Sequence, residues 1–150
     1  MNRRAIVLRV LIALCAVGAS AQTANLFEIV DTGSFEAVQA AIRAGADVNA
    51  RDMADRTPVM WACFAQRYDV ALLLVAAGAD INAQDGPFGQ TALMWAIMYC
   101  EAPNEIIKIL EIGADARLKD KKGRTALDYA RENWRFEGTE AMRRLLEASR

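Results

Sequence analysis

Apolar residues in this chain occur in short runs separated by polar and glycine-containing segments. The clearest case is the pair of runs VMWACFAQ and DVALLLVAAG, which is followed by ADINAQD at 79–85. Each run has the length of about two to three helical turns, and Gly78 suits the left-handed residue that ends a helix. Asp and Asn in the next segment favour a turn, because their side chains bond nearby backbone groups. The pattern therefore predicts two consecutive helices and then a projecting turn.

The same arrangement recurs along most of the chain. Gly-Ala-Asp recurs at intervals of 33 and 35 residues, starting at Gly45, Gly78 and Gly113. A threonine, which is a good N-cap because its hydroxyl accepts from a free amide of the first turn, recurs at intervals of 34 residues, at Thr57, Thr91 and Thr125. One helix pair cannot bury its apolar face, whereas stacked copies form a continuous core. We therefore predict one repeat domain at 22–150, with units at about 24–52, 53–85, 86–120 and 121–150.

These motifs resemble those of the ankyrin repeat. TPVMWA, TALMWA and TALDYA are similar to the family's Thr-Pro-Leu-His-x-Ala, and Gly-Ala-Asp is the other half of its pattern. The resemblance implies an all-α solenoid of stacked helix pairs with short β-hairpin fingers. It also implies that the concave side of the stack binds other proteins.

Two departures from the family pattern affect the expected structure. Met60, Met94 and Asp128 stand where the family has His, so the hydrogen bonds of that His must be replaced or lost. The third finger, ADARLKD, lacks the usual apolar residue after Asp and the Asn that follows. We expect its hairpin to be the least well formed.

The first 21 residues have the pattern of a secretory signal peptide. A short basic start, MNRRAIVLR, leads to the apolar stretch VLIALCAVGA, and ASA at 19–21 supplies the small residues of a cleavage site. The alternative is an uncleaved anchor, but Arg9 interrupts the apolar run and leaves it shorter than the roughly 20 residues of a span. We expect cleavage after Ala21, a periplasmic or secreted protein of a Gram-negative bacterium, and no membrane insertion of the mature chain.

Charge and composition exclude several classes of function. Without residues 1–21 the chain has 15 basic and 19 acidic residues, a net charge of −4, so we predict no nucleic-acid partner. We also expect a monomer when the protein is free. The sequence has no histidine, so neither a Ser-His nor a Cys-His pair can form. We predict no metal and no cofactor, because Cys63 and Cys100 alone do not make a usual zinc site. Their offsets on adjacent helices differ, so we expect two free thiols.

The resemblance implies that a partner contacts the finger tips and the exposed side of each first helix. Positions four, seven and eight residues after each threonine share one helix face. The predicted partner-binding residues are Met53, Arg56, Trp61, Phe64, Phe88, Gln90, Trp95, Met98, Tyr99, Lys121, Lys122, Arg124 and Tyr129. Three points stay open: Trp61 and Trp95 fit the core as well as a contact, KDKKGR at 119–124 is either a solvated turn or an attraction for an acidic partner, and the loop at 134–136 either holds the last helix or adds a contact.

Asp52, Asp85 and Asp120 recur at one position of the predicted fingers. Such acids stabilise turns through bonds to nearby amides. The alternative is a carboxylate-dependent hydrolytic enzyme, which would need a pair of acids in a cleft. No pair is distinct from the turn acids, so we interpret the chain as a non-enzymatic binding protein. Its partner is either an enzyme or effector that it stabilises, inhibits or protects, or a cell-envelope or host protein.

Overall fold

The computed structural model describes residues 26–150, and the predicted signal peptide at 1–21 lies outside them. This part of the chain forms eight α-helices and two short 3₁₀ helices, Pro103–Glu105 and Trp134–Phe136, and it contains no strand. The α-helices are α1 (Leu26–Thr32), α2 (Phe35–Arg43), α3 (Pro58–Phe64), α4 (Tyr68–Ala76), α5 (Ala92–Tyr99), α6 (Ile106–Glu111), α7 (Ala126–Glu132) and α8 (Glu140–Ala148).

The helices form four consecutive pairs, and the pairs stack. The first helices α1, α3, α5 and α7 pack on one another in series, and the second helices α2, α4, α6 and α8 form another row. Apolar side chains from both rows make one core, which includes the fully buried Val59, Leu74, Met94, Ile97 and Ile109. This arrangement confirms the predicted all-α solenoid. Within residues 26–150, no helix has both the length and the apolar character needed to cross a bilayer.

Threonine caps begin the first helices of repeats two to four. The hydroxyls of Thr57, Thr91 and Thr125 each accept a hydrogen bond, at 3.4 Å, from the amide three residues later. The residues that stand in place of the family's His add a second bond in two repeats. Met60 Sδ accepts from the Thr57 amide at 3.4 Å, and Asp128 Oδ2 accepts from the Thr125 amide at 2.9 Å. Some of the hydrogen bonding expected of His is therefore replaced.

The fingers are tight turns, in contrast to the predicted two-stranded hairpins. Each closes with a hydrogen bond of 2.9 to 3.1 Å from an aspartate amide to a carbonyl four or five residues later, in the pairs Asp52–Arg56, Asp85–Gln90 and Asp120–Arg124. Regular β-structure in the described residues is limited to one isolated antiparallel bridge between Gln84 and Thr91. The third finger closes like the other two, so our expectation that it would be the least well formed is wrong.

An asparagine in each of the first two fingers bridges to the next repeat, and the third finger has no such bridge to make. The side chains of Asn49 and Asn82 each donate to a Gly-Ala-Asp glycine carbonyl of the next repeat, at 3.0 and 3.2 Å, and accept from an aspartate amide two residues further on, both at 2.8 Å. Arg117 holds the equivalent position in the third finger, and the repeat that follows it, at 121–150, contains no Gly-Ala-Asp. That finger therefore has no such groups to bridge, and Arg117 pairs with Asp115 at 3.0 Å.

Cys63 and Cys100 are unpaired and buried, which confirms the prediction of two free thiols. Burial raises the pKa of Cys63 to about 12 and also raises the pKa of Cys100. Since the thiolate is the nucleophilic form, both side chains serve the core rather than a reaction.

The asparagine bridges lead to a stability prediction. We expect Asn82→Ala to lower the free energy of unfolding by about 1–3 kcal/mol, because it removes two hydrogen bonds between repeats. Arg117→Ala is the matched control at the equivalent position of the third finger, and its exposed ion pair is worth less than about 1 kcal/mol. Urea unfolding of both variants, followed by circular dichroism, measures the difference. Equal losses would show that the bridges do not stabilise the stack.

Candidate functional site

The finger aspartates connect the turns to the first helices. One carboxylate oxygen of each accepts from two amides of its own turn, at 2.8 to 3.1 Å. The other oxygen accepts from the aromatic residue four positions after the repeat's threonine, in the pairs Asp52–Trp61 at 2.9 Å, Asp85–Trp95 at 3.1 Å and Asp120–Tyr129 at 2.7 Å. Each aspartate therefore holds a turn and a ring in one fixed relation.

These contacts determine what the acids can do chemically. Burial alone would raise the pKa of Asp52 and Asp120, but the bonds from turn amides and from an aromatic donor outweigh it and hold both pKa values below the ordinary value. Asp85 is 4% exposed and Asp120 is 6% exposed. Residues 26–150 contain no group of three or more Cys, Asp or Glu that could hold a metal ion. The arrangement therefore favours a structural role for these acids over the general acid and base pair of a hydrolase.

Five aromatic rings from repeats one to three form an aromatic cluster: Phe27, Trp61, Phe64, Trp95 and Tyr99. Phe64 lies at its centre, with ring centroids 5.9 Å from Trp61, 6.0 Å from Trp95 and 4.7 Å from Tyr99, all edge to face. Trp95 and Tyr99 stack at 5.7 Å, and Phe27 extends the cluster to repeat one at 6.5 Å from Trp61. The rings thus make one continuous apolar surface across three repeats.

Part of the aromatic cluster is open to solvent. Phe64 and Tyr99 are 38% and 43% exposed, whereas Trp61 and Trp95 are half-buried. In each tryptophan the N–H is fixed to a finger aspartate, while the ring stays half-exposed in the cluster. The Arg56 guanidinium lies 4.5 Å from the centre of the Trp61 ring, a cation–π contact. A pocket of about 50 Å³ lies between repeats two and three, lined by Arg56, Met60, Trp61, Phe64 and Trp95.

The first two fingers connect to the aromatic cluster through the Asp52–Trp61 and Asp85–Trp95 hydrogen bonds. We call the surface formed by the cluster, the three finger tips and the exposed residues of repeat four the inner face. Met53 and Phe88 are 108% and 55% exposed at the first two tips, and Lys121 and Lys122 are exposed at the third. The third finger docks on the second, because the Lys121 amide donates to the Phe88 carbonyl at 2.8 Å. The predicted contact residues Arg124 and Met98 are half-buried at its edge.

Gln90 and Tyr129 are predicted contact residues, but they are buried in the structure, at 8% and 6% exposed. Gln90 Nε2 donates to the Tyr129 hydroxyl at 2.7 Å, and that hydroxyl donates to Asp120. The Arg124 guanidinium covers the Tyr129 ring at 4.1 Å from its centre. Both side chains therefore link the second finger to repeat four and leave little surface for a partner.

Two aromatic residues outside the predicted set lie near predicted contact residues: Phe27 beside Trp61, and Trp134 at a groove that Met98 and Arg124 also line. Phe27 belongs to repeat one, where no threonine marks the start of the first helix, so counting from the threonines could not locate it. Trp134 is 74% exposed, and the Arg135 guanidinium lies 4.9 Å from its ring centre. Phe136 in the same loop is fully buried. One ring of the loop therefore anchors the last repeat, while the other is exposed beside a groove, and whether it contacts a partner stays a prediction.

The lowered pKa of Asp120 leads to a prediction for acid stability. The pKa of the Asp120 carboxyl is lower in the folded protein than its ordinary value of 3.8 in the unfolded chain. Its ionised form therefore stabilises the fold at pH values above 3.8, and this stabilisation is lost as the pH falls through the folded-state pKa. We expect Asp120→Asn to be about 1–3 kcal/mol less stable than wild type at pH 7. We also expect a shallower loss of stability between about pH 5 and pH 2. Urea unfolding across this range tests both; an unchanged pH dependence would show that Asp120 gains nothing from its partners.

The repeats of this chain are similar in sequence to parts of several curated proteins. Among curated proteins, the chain is 28% identical over 106 residues to the palmitoyltransferase ZDHHC13 of Homo sapiens, covering 71% of this chain and 17% of that protein. It is 36% identical over 106 residues to the ankyrin repeat and SAM domain-containing protein 6 of Rattus norvegicus, covering 69% and 12%. It is 31% identical over 126 residues to the ankyrin repeat and SOCS box protein 6 of Mus musculus, covering 81% and 30%.

The chain spans less than a third of the length of each of these relatives, so the palmitoyltransferase match extends to a small part of that enzyme. The family model for ankyrin repeats, in its three-copy form, matches residues 5–85, a range that begins within the predicted signal peptide. In the structure, the same helix-pair fold continues to Ala148. An ankyrin repeat is generally a protein-interaction module and not an enzymatic one, and this chain belongs to the ankyrin repeat family.

Proposed function

We propose that this protein binds a protein partner through the inner face, with the aromatic cluster at the centre of the contact. The observation that carries this proposal is the exposure of two apolar rings that touch each other. Phe64 and Tyr99 come from first helices of adjacent repeats, their centroids are 4.7 Å apart, and both remain more than a third exposed. A contiguous exposed apolar patch commonly marks an interface, and aromatic residues are enriched in interfaces.

The cluster is suited to binding because its rings are held before a partner arrives. Trp61 and Trp95 are fixed by hydrogen bonds to buried or partly buried carboxylates, and Phe64 is packed edge to face among three neighbours. A side chain that is already ordered loses less conformational entropy on association. Aromatic anchors that become fully desolvated are typical of the residues that carry most of the binding free energy.

We further propose that the protein acts outside the cytoplasm. The basic start, the apolar stretch and the ASA sequence within residues 1–21 support export and cleavage after Ala21. In the periplasm or outside the cell, the partner would be an enzyme or effector that this protein stabilises, inhibits or protects, with a cell-envelope or host protein as the other class. A rigid non-catalytic surface serves each of these roles by occupying one face of its partner.

The binding proposal predicts a large effect of removing the exposed rings. We expect Phe64→Ala and Tyr99→Ala each to weaken partner binding by at least about 2 kcal/mol, or roughly thirtyfold. Each variant also loses aromatic contacts worth about 0.5–1.5 kcal/mol, so binding is measured well below its melting temperature. The matched control is Phe35→Ala on the second helix α2, since Phe35 is 36% exposed and lies outside the aromatic cluster.

Affinity capture from periplasmic extract, followed by mass spectrometry and calorimetry on the captured protein, compares these variants. The proposal requires a protein that wild type and Phe35→Ala retain and that the two cluster variants lose. If all four forms capture the same proteins with the same affinity, the inner face is not the binding site.

Export has its own test. Sequencing the amino terminus of the protein expressed with its full chain should give Gln22 as the first residue. We expect Ala21→Phe to block this cleavage, because the site requires a small residue. A wild-type protein that keeps Met1 and stays in the cytoplasm would contradict the proposal of export without affecting the proposal of binding.

A further inference from the structure

We propose that the segment bound at the inner face combines an apolar anchor with a cluster of carboxylates, and that the carboxylates lie over repeat four. This inference rests on the proposed function and adds the chemistry of the partner. Its basis is the uneven distribution of apolar and charged groups along the inner face.

The apolar half of the inner face lies between repeats two and three. The pocket of about 50 Å³ there has walls of aromatic ring and methionine, and its one charged neighbour, Arg56, is paired with Asp52 at 2.8 Å. A pocket this small with such walls suits the tip of one aliphatic or aromatic side chain. The exposed rings of Phe64 and Tyr99 continue this apolar surface toward repeat three.

The other half of the inner face is cationic. Residues 119–135 contain six basic and three acidic residues, although the chain from 22 to 150 has an excess of acids. Lys121 and Lys122 are exposed at the tip of the third finger. Arg135 lies over the exposed ring of Trp134, beside an open groove of about 470 Å³ that Arg124 and its ion-pair partner Glu132 also line. A partner that approaches repeat four therefore meets several cations on one surface.

The three acids in this region are largely occupied by contacts within the protein. Asp120 is buried and accepts from two amides and from Tyr129. Asp128 accepts from the amide and the hydroxyl of Thr125, and Glu132 pairs with Arg124 at 3.3 Å. The electrostatic potential at this surface is thus set largely by the lysines and Arg135, and this positive potential favours a partner that carries carboxylates.

The spacing of the two halves limits the segment that can span them. First helices of adjacent repeats are packed helices, whose axes are typically about 8 to 10 Å apart. The pocket lies between repeats two and three and the cations lie on repeat four, so the separation is about 10 to 20 Å. An extended chain advances about 3.3 Å per residue. We therefore expect roughly three to six residues between the anchor and the first carboxylate.

A polyanion such as single-stranded nucleic acid could also use aromatic rings and cations. The protein favours a polypeptide, because residues 22–150 carry a net charge of −4, which repels a uniformly charged strand, and because the exposed lysines and Arg135 lie at one end of the inner face. An acidic segment with an apolar end matches both halves, whereas a nucleic acid strand would also carry phosphates across the apolar half, where Arg56 is already paired with Asp52. Nucleic-acid binding is therefore an outcome that would contradict the proposal.

A peptide library displayed on phage tests this inference without a known partner. Random peptides of about 16 residues, long enough to cross the inner face in extended form, are selected on the full protein. A synthetic copy of the most enriched peptide is then titrated against the wild type and three variants. Phe64→Ala tests the apolar half, and Lys121→Glu/Lys122→Glu tests the cationic half. Arg43→Glu/Lys108→Glu is the matched control, because it makes the same change in charge on second helices. A poly-dT oligonucleotide is titrated in parallel.

The expected result is enrichment of peptides with an apolar residue and at least two acids at the spacing given above. We expect Phe64→Ala to lower the affinity for the peptide at least about thirtyfold. We expect the lysine double variant to weaken it by roughly tenfold at low salt and less at high salt, while the charge-matched control binds like wild type.

Two other results separate the failure of this inference from the failure of the proposed function. Suppose that the enriched peptides lack acids, bind the lysine double variant normally and do not bind Phe64→Ala. This result would overturn the inference but would still support the inner face as the binding site. Tight binding of the oligonucleotide, at the affinity of the peptide or better, would overturn it in the same way. Peptides that bind Phe64→Ala as well as wild type would contradict the proposed function itself.

Discussion

The inner face depends on the hydrogen bonds that the carboxylate of each finger aspartate accepts. One oxygen closes the turn by accepting from its amides, and the other positions the aromatic ring that rises from the following first helix. A carboxylate has acceptor capacity for both sets of donors, whereas an amide side chain in its place would give up one acceptor atom. Turn shape and ring position are therefore coupled in every repeat from the second to the fourth, and neither can change without disturbing the other.

Much of this fold could be predicted from the sequence, because it is encoded by local chemistry at regular intervals. Threonine caps and Gly-Ala-Asp stops act within a few residues of their own position, so their recurrence gave the helix pairs correctly. The link from each aspartate to its ring was also encoded, since an aromatic residue follows at nearly constant spacing: Asp52 with Trp61, Asp85 with Trp95, and Asp120 with Tyr129. We predicted the two halves of that pattern separately, as a turn acid and a contact residue, and did not connect them.

The parts that could not be predicted depend on contacts between repeats. Gln90 occupies a finger position that was expected to face a partner, yet its amide turns inward because a hydroxyl acceptor from the next repeat lies 2.7 Å away. Phe27 joins the aromatic cluster although repeat one lacks the threonine from which its position could be counted. The third finger keeps its shape without asparagine, because repeat four contains no Gly-Ala-Asp for that side chain to bridge. In each case a neighbouring repeat, rather than the residue's own repeat, decides the outcome.

The residue four positions after the threonine explains why the inner face changes character along the stack. An indole N–H can donate to the finger carboxylate but cannot accept, so Trp61 and Trp95 bind their aspartates and leave a broad, half-exposed apolar ring. A phenol hydroxyl can donate and accept at once. Tyr129 therefore donates to its aspartate while accepting from Gln90, and the Arg124 guanidinium settles over its ring. The extra hydrogen bond of the phenol therefore ties the ring of repeat four to the second finger and buries it, whereas the indole rings of repeats two and three stay half-exposed, so the apolar surface of the inner face ends before repeat four.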